Sequence, residues 1–245
     1  MTFHAFLVPL MTLTSLQAYA ADDPPFLARI FDMASKKQKL LFTYKHSSEN
    51  RPEFRESTNV YKDADGIIAV IETARFVKDG DSEKVSNYHV SQKQLGEEGN
   101  VAVAGEKIKF TYVKDGKTKE DEEKLTDNFV VGPSIIFYLQ KHWAEIVNGD
   151  KVKVRLAVPD RRETIGFEYF KVREETIDGQ KTFVLKMKPS SLVISAIVDP
   201  LYFFYTPDGK TLVEIHGRTQ VKQKVKNSWR NLDAVTTYEY GPNAK

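Results

Sequence analysis

The chain has 245 residues, 41% of them hydrophobic, with 36 basic against 34 acidic side chains and a formal charge of +2. That length supports one substantial core, and so even a balance gives no electrostatic reason to expect a nucleic acid as partner. The sequence has no cysteine, which excludes a disulfide framework, a thiol nucleophile, a cysteine-held metal and a lipidated cysteine behind a leader.

Residues 1–20 read as a secretory signal. Ala5 to Leu16 is an apolar run without charge, and Ala18-Tyr19-Ala20 supplies a small-x-small cleavage pattern, although Met1-Thr2-Phe3-His4 carries no Lys or Arg. The expectation is cleavage after Ala20, leaving a single β-rich domain over 21–245 that is periplasmic or secreted. No later stretch approaches the ~18 uninterrupted apolar residues of a membrane span, so membrane contact is expected to be peripheral at most.

After Pro24-Pro25, the spacing of Phe26, Leu27, Ile30, Phe31 and Met33/Ala34 predicts a short helix closing near Lys36-Lys37. Lys39 to His46 turns to strand character. From there the recurring signal is the hairpin: Asp65-Gly66, Asp79-Gly80, Asp115-Gly116, Asp178-Gly179 and Asp208-Gly209 all lie between strand-like runs. Asp-Gly favours tight hairpins because both residues tolerate positive φ. Ile108/Phe110/Tyr112, Val152/Val154/Leu156/Val158 and Phe183/Leu185/Met187 alternate with polar neighbours, as strands with one wet face do. Ile67 to Ala74 is apolar on both faces except at Glu72 and Thr73, which places it centrally. Residues 114–128 form a charged, exposed hairpin or loop.

Between Gly132 and Gly149 the pattern is helical. Pro133 suits a first turn, Gly149 a left-handed stop, and Ile136, Leu139, Trp143 and Ile146/Val147 form one apolar stripe. A second apolar stretch, 192–205, predicts a short helix at 190–197, a break at Asp199-Pro200 and a strand ending in Phe203-Phe204-Tyr205. The fold class is therefore mainly β. It is a large antiparallel, partly open β-barrel or strongly curved sheet of about eleven strands, with one central helix and one or two short helices in its concave face.

Motifs for chemistry are sparse. Residues 61–72 resemble a calcium loop at Asp63, Asp65, Gly66, Ile68 and Glu72, but Tyr61 stands where the first carboxylate belongs and both flanks read as strand. His142-x-x-Glu145 is a lone pair, and no zinc-protease motif, nucleophile elbow or phosphate-binding loop occurs. No metal and no cofactor are expected. Arg218, Lys222, Lys224, Lys226 and Arg230 form a basic stretch, read first as a solvated strand edge and second as a surface for an anionic polymer.

Trp143-Ala-Glu-Ile146-Val-Asn-Gly149, Val158-Pro159-Asp160-Arg161 and Asp199-Pro200 resemble motifs of an uncharacterised family of exported bacterial β-rich proteins, over roughly residues 40–240. The overall architecture also resembles the open β-barrel of periplasmic lipoprotein carriers. The first resemblance implies no activity; the second implies a hydrophobic ligand held in a half-open barrel. On that reading the protein is non-enzymatic and binds a lipid or acyl chain. Trp143, Leu139, Leu192, Phe203 and Phe204 are the expected lining, with Arg161 and Arg162 available for a carboxylate or phosphate. The alternative is an envelope interaction module that docks a protein or anionic polymer through a sheet edge. A hydrolase with paired carboxylates is third.

Overall fold

The structure is a computed structural model that describes residues 24–80, 82–196 and 198–241; the expected signal segment lies outside the described residues. Strands β1 (Phe26–Asp32), β2 (Leu40–Asn50), β3 (Phe54–Asp63), β4 (Ile68–Asp79), β5 (Ser82–Gln92), β6 (Glu97–Ala104), β7 (Lys107–Lys114) and β8 (Lys117–Lys124) form one meander. The chain then crosses to the other edge of the sheet through β9 (Phe129–Val130), a 3-10 turn at Gly132–Ser134, and helices α1 (Ile135–Lys141) and α2 (Trp143–Val147). A second meander returns through β10 (Val152–Val158), β11 (Glu163–Ile177), β12 (Gln180–Pro189), α3 (Leu192–Ser195), β13 (Leu201–Tyr205), β14 (Leu212–Val225) and β15 (Ser228–Tyr240).

All of these strands belong to a single 15-stranded sheet, ordered β8-β7-β6-β5-β4-β3-β2-β1-β15-β14-β13-β12-β11-β10-β9. Neighbours are antiparallel except β9 and β10, and β1 pairs with β15 in the middle. Among the described residues no backbone ladder joins the edges, so the sheet is not closed. Side chains bridge β8 to the β10–β11 hairpin instead: Arg162 Nε donates to Asp121 at 2.6 Å, and the Thr164 hydroxyl donates to Glu123 at 2.6 Å.

The count of strands exceeds the expected eleven for identifiable reasons. The segment expected as a helix at 26–34 is β1. Phe26, Ala28 and Ile30 are buried at every second position, while Leu27 and Arg29 are half-buried. Because both faces of this central strand carry apolar residues, Phe26, Leu27, Ile30 and Phe31 also satisfy helical spacing. β5 and β6 bury polar groups on both faces, Ser91 on one and Glu97 on the other, which erases the alternation that marks an ordinary strand.

The five Asp-Gly pairs do fall between strands, each with glycine in the left-handed region; only Asp115 and Asp178 join their glycines there. The helix expected over 132–149 is present but jointed. His142 (φ −102°, ψ 18°) separates α1 from α2, and Gly149 stops the second with φ 94°. Leu139 and Ile146 are fully buried against Val152, Val154, Phe167, Leu185 and Phe203. A second cluster, from Phe26 to Val101 and on to Phe110 and Val221, fills the half of the sheet around β1–β7. Among the described residues no helix is long and apolar enough to cross a membrane.

Candidate functional site

The site grows from a close contact between the two meanders. Pro159, in the turn after β10, lies against Gly99 of β6 so tightly that a Cβ there would be 2.6 Å from the proline Cβ. This contact carries the turn Pro159-Asp160-Arg161-Arg162 over the end of the first meander. Arg162 takes a left-handed conformation (φ 57°) and reaches Asp121 on β8. A third wall comes from β14 and β15. There the register shifts between Arg218 and Lys222, and the resulting bulge is tied to the β5–β6 turn. Gln92 Nε2 donates to the Gln220 carbonyl at 2.9 Å. Gln94 both donates to the Lys222 carbonyl and accepts from its N–H, each at 2.9 Å.

Between these walls lies an open cleft of about 710 Å³. Val90, Leu95, Pro159 and Trp229 give it apolar surface; Lys114, Lys117, Lys119, Arg162 and Lys222 face Glu97, Asp115 and Asp160 across it. Glu97 is almost wholly buried and already engaged: it accepts from the Tyr112 hydroxyl and pairs with Lys114 at 2.8 Å. Burial, then the bond to Glu97, pushes the Tyr112 phenol well up. Burial pulls the Lys222 ammonium below its ordinary value and Arg218 adds to this, while Asp160 and Glu97 pull the other way.

Behind the cleft floor runs a buried polar relay. Glu72 on β4, 2% exposed, accepts from Tyr61 at 2.7 Å, Tyr88 at 2.5 Å and Asn59 at 3.2 Å. Asn59 contacts His46 Nδ1 at 2.8 Å, and His46 stacks on Phe26 with centroids 4.6 Å apart. Tyr88 is also a cleft residue and accepts from Gln220 at 3.5 Å. Burial, then the charge of Glu72, pushes the phenols of Tyr61 and Tyr88 far up. The relay abuts the turn that starts α1, since a Cβ on Gly132 would lie 3.4 Å from the Glu72 carboxyl.

The residues expected to line a ligand site are dispersed. Leu139 and Phe203 are brought together within the core beneath the helices, and Trp143 packs at its margin. The Trp143 indole lies 5.3 Å from the Tyr205 ring and donates to the Pro207 carbonyl at 3.1 Å. Phe204 is buried on the opposite face of β13, 4.4 Å from His216. Leu192 is 89% exposed on α3. Arg161 pairs with Glu163 at 2.6 Å outside the cleft, so Arg162 is the one expected site residue in it.

The basic stretch divides as well: Arg218 pairs with Asp233 at 2.7 Å, Lys222 enters the cleft, and Lys224 lies 5.9 Å from the Trp229 ring. In the calcium-like segment, Asp63 accepts from the N–H groups of Asp65 and Ile67, while Glu72 turns into the relay. No group of three metal-binding side chains occurs among the described residues. Gly99, Lys117 and Lys119 carry no local motif that sequence reasoning could use. Glu72 did signal itself, as the one carboxyl in the largely apolar run from Ile67 to Ala74.

No protein-family profile and no curated protein matches the chain. Among solved structures it is similar to a β-barrel-like protein of the domain of unknown function DUF1849 from Brucella abortus, at 8% identity and TM-score 0.45, covering 89% of this chain and 96% of that one. It is also similar to a DUF1329 family protein from Desulfovibrio piger, at 9% identity and TM-score 0.26, covering 91% and 86%. A porin-like protein from Bacteroides uniformis matches at 10% identity and TM-score 0.24, covering 89% and 97%. None of the three is described as a lipoprotein carrier, and at such scores they carry nothing about function.

Proposed function

We propose that the protein is an exported, non-enzymatic binding protein that takes an amphiphile, a lipid or other acyl-chain compound, into the cleft between β6–β8, the β10–β11 turn and β14–β15. The observation that carries this reading is the composition of the cleft: about 710 Å³ of open space, with Trp229, Leu95 and Val90 facing it beside a set of cations. A ligand with an apolar body and a polar head matches both kinds of surface, and the volume lies within the usual range for small-molecule sites. The interior beneath α1 and α2 is filled by Leu139, Ile146 and Phe203, so the ligand is assigned to the cleft and not to that interior. The carboxyl groups nearest the cleft floor, Glu97 and Glu72, are held in hydrogen bonds by tyrosines, which favours a structural role for them over acid–base work.

Export rests on the signal-like segment 1–20. The test is native mass spectrometry and solvent extraction of the purified protein, followed by titration with a short-chain acyl compound read by Trp229 fluorescence. Bound amphiphile, or a saturable response lost in Trp229→Ala, is the expected result. A ligand-free protein with no response would count against it. The alternative of a docking module finds one supporting observation: β8 is an edge strand whose residues are nearly all exposed. Its Asp121 and Glu123 are already occupied by Arg162 and Thr164, which weakens that reading.

A further inference from the structure

One face of β8 presents Lys117, Lys119, Asp121 and Glu123 in succession, two cations followed by two anions. The anionic half is satisfied by the second meander. Asp121 pairs with Arg162 at 2.6 Å; Glu123 accepts from the Thr164 hydroxyl at 2.6 Å and lies 3.6 Å from Arg155. The cationic half has no such counterpart. Lys117 and Lys119 face the cleft, and among the described residues neither has a carboxylate within ion-pair distance.

Lys222 faces the same space from β14. Its ammonium donates to the neutral Asn231 side chain at 2.7 Å, and no described carboxylate lies within ion-pair distance of it. Lys114, by contrast, is neutralised by Glu97. The Lys222 ammonium is partly desolvated, and without an anion that is a cost folding alone leaves uncompensated. Exposed Lys117 and Lys119 on β8 line the same space from a distant part of the chain, so three lysines without a carboxylate partner stand beside apolar surface. A bound anion supplies the missing partner, and compact ammonium groups suit the spread charge of a phosphate.

We propose that the cleft selects ligands whose head is a phosphate-class anion, seated between Lys222 on one wall and Lys117 and Lys119 on the other. This rests on the reading of the cleft as an amphiphile site and adds the chemistry of the head. A phosphorylated acyl glycerol and a free organic phosphate share that chemistry, so the experiment separates them.

Calorimetric titration of the purified protein uses three probes: a monoacylglycerol, the phosphate ester of the same monoacylglycerol, and glycerol phosphate without an acyl chain. The expected result is that the phosphorylated lipid binds at least about tenfold more tightly than the neutral one and weakens as salt is raised. Lys119→Glu and Lys222→Gln should each reduce that margin several-fold. Equal binding of the two lipids would overturn the phosphate seat while leaving the amphiphile reading intact. Glycerol phosphate binding as tightly as its lipid ester would support the seat and remove the acyl chain from the site. No binding of any probe would overturn both.

Discussion

The half of the sheet formed by β10–β14 and the half formed by β1–β7 fill their concave faces with different material. In the first, α1 and α2 press Leu139 and Ile146 onto Val152, Phe167, Leu185 and Phe203, giving a dry apolar core. In the second, the strands cover themselves with aromatic rings such as Tyr44, Tyr61 and Phe110, and a carboxyl group, Glu72, sits among them with tyrosine partners. A helix brings its own satisfied backbone and needs only apolar side chains at the contact. A sheet that curls onto itself meets gaps of uneven depth, which long tyrosines fill, and each buried hydroxyl then requires a partner. The cleft opens on this second, polar half, where Tyr88 belongs to both the relay and the cleft floor.

The largest test of this contrast lies in the dry half. Leu139→Ala should cost about 2–5 kcal/mol in chemical denaturation, the range for emptying a packed leucine site, with ligand binding unchanged. A loss below about 1 kcal/mol would mean the helix is not a packed core element there. Next comes the relay: Glu72→Ala leaves Tyr61, Tyr88 and Asn59 without their acceptor and should cost about 2–3 kcal/mol. Glu72→Gln, which keeps one carbonyl, should cost less. Gly99→Ala forces Pro159 away and should cost about 1–3 kcal/mol. Unlike Leu139→Ala, it should also weaken cleft binding, which titration of the variant would reveal.

Alkaline titration distinguishes the halves further. Tyr61 and Tyr88 are raised by burial and by Glu72, whereas Tyr169 is raised by burial alone. A phenol raised on folding contributes stability that is fully present below the unfolded value near 10 and is lost as pH climbs past it. Denaturation midpoints should therefore fall above that pH. In Glu72→Gln, ionisation of Tyr61 and Tyr88 should begin at lower pH while Tyr169 is unmoved, measurable by absorbance and ring chemical shifts. The smallest effect belongs to the seam: Arg162→Ala removes a partly exposed ion pair and should change stability by less than about 1 kcal/mol. Its signature is faster amide exchange in β8.

The dry half was the more legible in sequence because its signals are local. The helical stripe, Gly149 and the alternation of Val152 and Val154 each fit within one or two turns or one strand. The polar half reads poorly since its meaning is distributed. Phe26 to Phe31 obeys two periodicities at once, and Ser91 and Glu97 look like loop residues until their partners are placed. The cleft is less legible still. Lys119 and Lys222 are about a hundred positions apart in the chain and line one cleft because Pro159 packs on Gly99 and β14 bulges there.

The pairing of β1 with β15 has a consequence for how the chain folds. Arg29 and Glu239, joined by a salt bridge, are 210 positions apart, and this pair belongs to the middle of the sheet. Each meander can zip outward along its own hairpins, but the ladder that unites them must bring β1 and β15 together across everything between them. Contacts of such long span slow folding. A chain of this design therefore gains its central seam after its local hairpins, and loss of β15 would leave the two meanders without the backbone ladder that unites them.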